Sequence, residues 1–83
     1  MNKVEGLAKA FGRVIAEERT RQGLSQEKLA ETIGSTNFYI SLLETGKRKP
    51  SLNTAVLIAE SLKIDPSEFM SLIYIKLEEQ KKI

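Results

Sequence analysis

The stretch from Leu24 to Lys47 constrains this chain most, because it holds two short apolar-periodic segments, each preceded by a hydroxyl residue and followed by a glycine. Ser25 precedes Leu29, Ala30 and Ile33, with Gly34 behind them; Thr36 precedes Ile40 and Leu43, with Gly46 behind them. A Ser or Thr oxygen can satisfy a bare amide at a helix start, and glycine accepts the left-handed conformation that closes a helix. The pattern predicts two helices of about two turns, packed together across a tight bend that exposes the second.

The flanking sequence extends the same logic. From Val4, apolar residues at Leu7, Phe11, Val14 and Ile15 have the spacing of a helix with one buried face, running to about Arg21 and ended by Gly23. Pro50 and Ser51 introduce a fourth helix, in which Leu52, Ala55, Ile58, Ala59 and Leu62 repeat at three- and four-residue steps until about Lys63. Asp65, with Pro66 at the first helical position and Glu68 at a capping-box-like spacing, opens a fifth helix over about residues 66–80. That helix carries Phe69, Met70, Leu72, Ile73, Tyr74, Ile75 and Leu77, too many apolar residues for one stripe, and the surplus argues for a second packing partner. The polar tail from Glu78 is expected to fray. The expected fold is all-α, a compact five-helix bundle forming one domain over residues 1–83, with a helix-turn-helix built from helices 2 and 3.

The chain has no cysteine and no histidine, which removes disulfides, thiolate and imidazole metal sites, cysteine nucleophiles and the usual imidazole general base. It also lacks a Gly-rich phosphate loop. We therefore expect a non-enzyme with no metal and no cofactor. A net charge of +2, from 13 basic against 11 acidic residues, says little as a sum. Its distribution says more: Lys47-Arg48-Lys49 stand together, with no acidic residue between Thr45 and Ala59. No apolar run approaches the ~18–20 residues needed to cross a bilayer and no signal-peptide pattern opens the chain, so a cytoplasmic location is expected.

In the third helix Ile40 and Leu43 point inward, which puts Asn37, Phe38, Ser41 and Leu42 on the opposite half and Tyr39 on the flank. A helix-turn-helix presents such a face to the major groove of double-stranded DNA. Asn37 can bond an adenine edge or simply bind water. Phe38 and Leu42 offer only apolar contact, for which thymine methyl groups are natural targets; packing on each other or on a protein is the alternative. Ser41 can reach a base, a phosphate or solvent, and Tyr39 can lend its hydroxyl to phosphate while its ring covers the core edge. Lys47, Arg48 and Lys49 suit the sugar-phosphate backbone, against the blander reading of a solvated loop. Ser51 and Asn53 can add backbone contacts, although Ser51 reads equally well as a pure helix cap.

Arg19, Gly23-Leu24-Ser25-Gln26, Leu29-Ala30, Gly34, Ile40-Ser41, Glu44-x-Gly46-Lys47, Pro50-Ser51 and Leu62-x-Ile64 occur in an order that resembles the lambda-repressor-like, Cro/CI-type (XRE-like) helix-turn-helix family over roughly Ala10 to Phe69. Tyr39-Ile40-Ser41 and the short apolar last helix are most similar to controller proteins of restriction–modification systems. The resemblance implies a homodimer whose third helices enter successive major grooves of a near-palindromic operator. It implies a phosphate contact for Gln26, whose alternative is a capping or solvated role, and a structural ion pair between Arg19 and Glu44. Phe38 and Leu42 depart from the family, which often places glutamine, arginine or serine there. Dimerisation is expected through Met70, Tyr74 and Leu77, with Ile73 shared or in the core, the alternative being a wholly intramolecular core. The implied function is that of a sequence-specific transcriptional regulator. Repression needs no more than occupancy, while activation would add RNA polymerase as a partner. An antitoxin or phage-type repressor would use the same motif. A protein-interaction module turned away from DNA is the rival of another class, and the basic loop argues against it. A membrane role is not expected, because Glu78-Glu79 and Lys81-Lys82 give the tail no basic face.

Overall fold

Five helices follow one another in the computed structural model, which describes residues 4–82: α1 Leu7–Arg21, α2 Gln26–Thr32, α3 Asn37–Glu44, α4 Leu52–Ser61 and α5 Pro66–Lys81. Local chemistry sets where four of them begin. Oxygens of Ser25, Thr36, Ser51 and Asp65 accept from the amides of Lys28, Tyr39, Thr54 and Ser67 at 3.0, 3.1, 3.0 and 2.8 Å. Each side chain thus satisfies an N–H that the helix itself leaves bare.

The helix ends also share a device, in which a left-handed residue and its successor donate back into the last turn. Gly46 N–H bonds the Leu43 carbonyl and Lys47 N–H that of Leu42, closing α3; Lys63 N–H bonds Glu60 and Ile64 N–H bonds Ala59, closing α4. Lys63 adopts φ 60° there, where the other three closures use glycine. An L side chain in that conformation costs about 1–2 kcal/mol.

The apolar stripes meet in one buried cluster, to which Ala10, Phe11, Val14 and Ile15 of α1 contribute one wall and Phe69, Ile73 and Leu77 of α5 another. Leu29, Ala30, Ile40, Leu43, Ile58, Ala59, Leu62 and Ile64 fill the space between. Phe11 and Phe69 meet edge to face, with ring centroids 5.7 Å apart and planes at 74°. Lys76 on α5 donates to Glu17 on α1 at 3.0 Å, and that bond raises the lysine pKa; the partner is exposed, so the pair adds little stability.

The backbones of α1 and α3 approach closely at Gly12. A Cβ on Gly12 would stand 2.2 Å from the Leu43 carbonyl oxygen and 2.6 Å from that of Glu44. The absence of a side chain there lets the end of α3 rest on the α1 backbone.

Three expectations change. Leu52, read as part of the inner face of α4, is 83% exposed, because the first turn of that helix projects beyond the core that Ile58, Ala59 and Leu62 enter. Leu77, read as an interface residue, is 2% exposed within the single chain, as is Ile73, for which the core alternative therefore fits. They share the α5 face of Phe69 at four-residue steps, which leaves Met70 and Tyr74 as the outward members of that group. The tail does not fray at Glu78 but continues helical to Lys81, whose ammonium bonds Glu78 at 3.3 Å. Among the described residues no helix is long and apolar enough to cross a membrane.

Candidate nucleic-acid interface

The position of α3 depends on Glu44 at its last turn. Arg19 Nε donates to Glu44 Oε2 at 2.7 Å and Arg19 Nη2 to Oε1 at 3.1 Å, while Nη1 donates to the Leu24 carbonyl at 2.8 Å. The fork grips both carboxylate oxygens, and the turn after α1 takes a bond from the third nitrogen. Gln26 Nε2 adds a bond to Glu44 Oε1 at 2.9 Å. One carboxylate therefore ties α1, the following turn, α2 and α3 together. The Glu44 side chain is 8% exposed and that of Arg19 16%, and the hydrogen bond to Glu44 holds the guanidinium pKa above its ordinary value.

This network adds a structural partner to Gln26. One hydrogen of the carboxamide is held by Glu44, while the residue stays half-exposed and its second amide hydrogen is not used in that bond. The expected partnership of Arg19 with Glu44 is present as a paired, largely buried contact.

With Ile40 and Leu43 fully buried, the opposite side of α3 is presented outward. Asn37 is exposed in the first turn and Phe38 is 73% exposed beside it. Ser41 and Leu42 are half-buried. Leu42 turns out less exposed than its helical angle predicts, because the chain folds back past it: its carbonyl accepts from the amides of Lys47 and Arg48 at 3.0 and 3.2 Å. Tyr39 is half-buried against the core edge, and the Arg48 guanidinium lies 5.9 Å from its ring centroid. That stacking places Arg48 on the flank of α3. Lys47 and Lys49 are exposed on either side of it.

Ser51 uses its hydroxyl as a cap, accepting from the Thr54 amide and donating to Thr54 Oγ1 at 3.0 Å, so the capping reading fits it better than a backbone contact. Asn53 is exposed in the first turn of α4. Glu44 is the sole acidic residue between Glu31 and Glu60, and it is bound by Arg19 and Gln26. The face of α3 and its basic loop therefore carry no free carboxylate from that stretch to repel an anion.

A second exposed surface lies round the corner. Leu52, 83% exposed, and Met70, 54% exposed, line a groove of about 650 Å³ together with Val4, Leu7 and Lys49. Val56 and Tyr74 follow one turn further along α4 and α5, at 36% and 61% exposure. Leu52 was grouped from sequence with residues that prove buried, and Val56 was not singled out, since an apolar residue at helical spacing does not declare its face; only the rotation of α4 in the bundle separates them.

A helix-turn-helix family model matches residues 15–69. The HTH-type transcriptional regulator PuuR of Escherichia coli is 39% identical over 67 residues, covering 81% of this chain and 35% of that protein. The chain thus spans about a third of the length of that regulator. Among solved structures, the restriction-modification controller protein C.AhdI of Aeromonas hydrophila superposes with a TM-score of 0.71 at 39% identity, over 75% of this chain and 94% of that one. The controller protein C.Esp1396I, solved as a tetramer in complex with its natural 35 base-pair operator, gives a TM-score of 0.78 at 25% identity, over 86% of this chain and 93% of that one.

Proposed function

Because the chain belongs to the helix-turn-helix family, we propose that it is a transcriptional regulator that binds double-stranded DNA as a homodimer and reads a near-palindromic operator. The observation that carries this reading is the outward face of α3, bordered by Lys47, Arg48 and Lys49 and free of competing carboxylates. The N-terminal residues of such a helix meet base edges in the major groove. Asn37 and Phe38 take that role, with Ser41 and Leu42 behind them. Lys47, Lys49 and Arg48, with Tyr39 beneath it, contact the sugar-phosphate backbone, and Asn53 lies within the same reach.

A second copy packs on the α4–α5 surface of Leu52, Val56, Met70 and Tyr74, since this is exposed apolar area on two adjoining helices. Pairing places two recognition helices about 34–36 Å apart, one turn of DNA. The likeness to C.AhdI, which extends over 94% of that chain, supports a controller role in preference to an antitoxin or phage repressor. Occupancy of a promoter in the cytoplasm, without catalysis, is sufficient for the function.

Selection of bound duplexes from a random pool tests the proposal. Enrichment of an inverted repeat with half-sites one turn apart is the expected result, and binding should fall about 10³–10⁵-fold between 50 and 200 mM salt if ~6–10 phosphates are contacted. No enrichment at low salt by folded protein would refute it. Tyr74→Glu should shift sedimentation from dimer to monomer; a wild-type profile would remove this surface from the interface.

A further inference from the structure

The proposed interface has an apolar centre. Phe38 is 73% exposed at the second position of α3, and Leu42 lies one turn further along the same side. The ring is too exposed to contribute much to the core, and the polar groups that share its helix and the loop after it, Asn37 beside it and Lys47, Arg48 and Lys49 beyond the end of α3, are those that suit DNA. Among base edges in the major groove the thymine C5-methyl is the apolar projection, where unmodified cytosine presents only a hydrogen. Methylation of cytosine at C5 places the same group at the same ring position.

We infer that Phe38, backed by Leu42, is a reader of C5-methyl groups, on thymine and on 5-methylcytosine alike, so that cytosine methylation inside the half-site strengthens operator binding. The inference rests on the DNA-binding reading above and adds the chemical group recognised. Asn37 supports it, because an amide suits the adenine edge, and adenine is the partner of thymine. Adjacent side chains at the helix start can then address the polar and apolar features of A·T pairs together.

Burying one methyl changes affinity about fourfold, equivalent to ~0.8 kcal/mol at ~1.4 kcal/mol per tenfold, and about fifteenfold when both half-sites of a dimer are changed. The experiment uses the duplex enriched from the random pool, with thymines replaced singly by uracil in both half-sites, and the same position then carrying cytosine or 5-methylcytosine. Wild-type protein should lose about fifteenfold on uracil at one position and prefer 5-methylcytosine to cytosine there by a similar factor. Phe38→Ala should bind all four bases with no methyl preference while keeping its wild-type melting temperature, since the ring is outside the core. Equal binding of thymine and uracil at every position overturns the inference and leaves the DNA-binding reading intact. A methyl preference that survives in Phe38→Ala overturns the assignment to Phe38. A pool with no enriched sequence overturns both readings.

Discussion

Replacing Gly12 by alanine should destabilise the protein, although by helix propensity alone it should stabilise α1. Alanine is favoured over glycine inside a helix by about 1 kcal/mol. Against this stands the geometry of the α1–α3 contact, where the new Cβ would lie 2.2 Å from the Leu43 oxygen, 2.6 Å from the Glu44 oxygen and 2.8 Å from the Glu44 carbonyl carbon. All three are backbone atoms, so no rotamer change relieves the overlap, and one helix must move by more than an ångström. The Leu43 oxygen also accepts the Gly46 amide in the closure of α3, which resists that movement. Overpacking of a well-filled site costs typically about 1–3 kcal/mol, and a rigid backbone places this one at the upper end, for a net loss of about 2 kcal/mol.

Thermal melting followed by circular dichroism reads the effect directly. A loss of about 2 kcal/mol should lower Tm by roughly 8–16 °C in a domain of this size. Arg13→Ala, one residue further along α1 and exposed, serves as the control and should stay within about 0.5 kcal/mol of wild type. DNA affinity measured well below the transition should also fall for Gly12→Ala, because the overlap displaces α3, the proposed recognition helix. A Tm at or above that of the wild type would refute the reasoning, since it would mean that α1 and α3 can separate without cost.

The remaining predictions concern the ion pair, a helix end and a helix start. Glu44→Ala should cost about 3 kcal/mol, at the low end for a buried pair because Arg19 keeps some exposure, and adding Arg19→Met should recover much of that loss in a double-mutant cycle read by denaturant melts; additive losses would deny the coupling. Lys63→Gly should stabilise by about 0.5–1 kcal/mol, raising Tm by roughly 2–8 °C, because the residue sits at φ 60°; an unchanged or lowered Tm would count against the left-handed closure of α4. Asp65 has its pKa lowered by bonds from the Ser67 hydroxyl and then the Ser67 amide, so its cap contributes fully above the ordinary aspartate value near ~4 and is lost as pH falls through the lower native value. Asp65→Asn, which keeps an accepting oxygen, should remove this acid-dependent step from Tm measured between about pH 5 and 2, and an unaltered acid profile would exclude Asp65 as its source.

What could be read from sequence was what depends on near neighbours. Ser25, Thr36, Ser51 and Asp65 cap helices because each needs only an amide two or three residues ahead. The pairing of Arg19 with Glu44, 25 residues apart, was legible only through the family resemblance. Gly12 was not legible at all: within α1 it looks like a weak helical position, and its purpose exists only once α3 is laid across it. The bond from Gln26 to Glu44 was not legible for a related reason, since the partner is a carboxylate already engaged by a residue from another helix.

The last helix shows why such failures matter for function. Its apolar surplus was legible, but composition has no phase, and the division between core and surface follows from which side of α5 lies on α1. Phe69, Ile73 and Leu77 take the inner side, so substituting Ile73 or Leu77 should damage folding before it touches assembly. Met70 and Tyr74 stand outside that stripe, and Met70 shares a groove with the exposed Leu52 of α4, so in the proposed dimer substitutions there should change assembly with the core intact. If Tyr74→Glu yields a monomer with the wild-type Tm extrapolated to low concentration, affinity for a single half-site can be measured apart from the gain that pairing two half-sites provides. Recognition by α3 and assembly by α4–α5 then become separable properties of one small bundle, joined through the loop that carries Lys49 from one surface to the other.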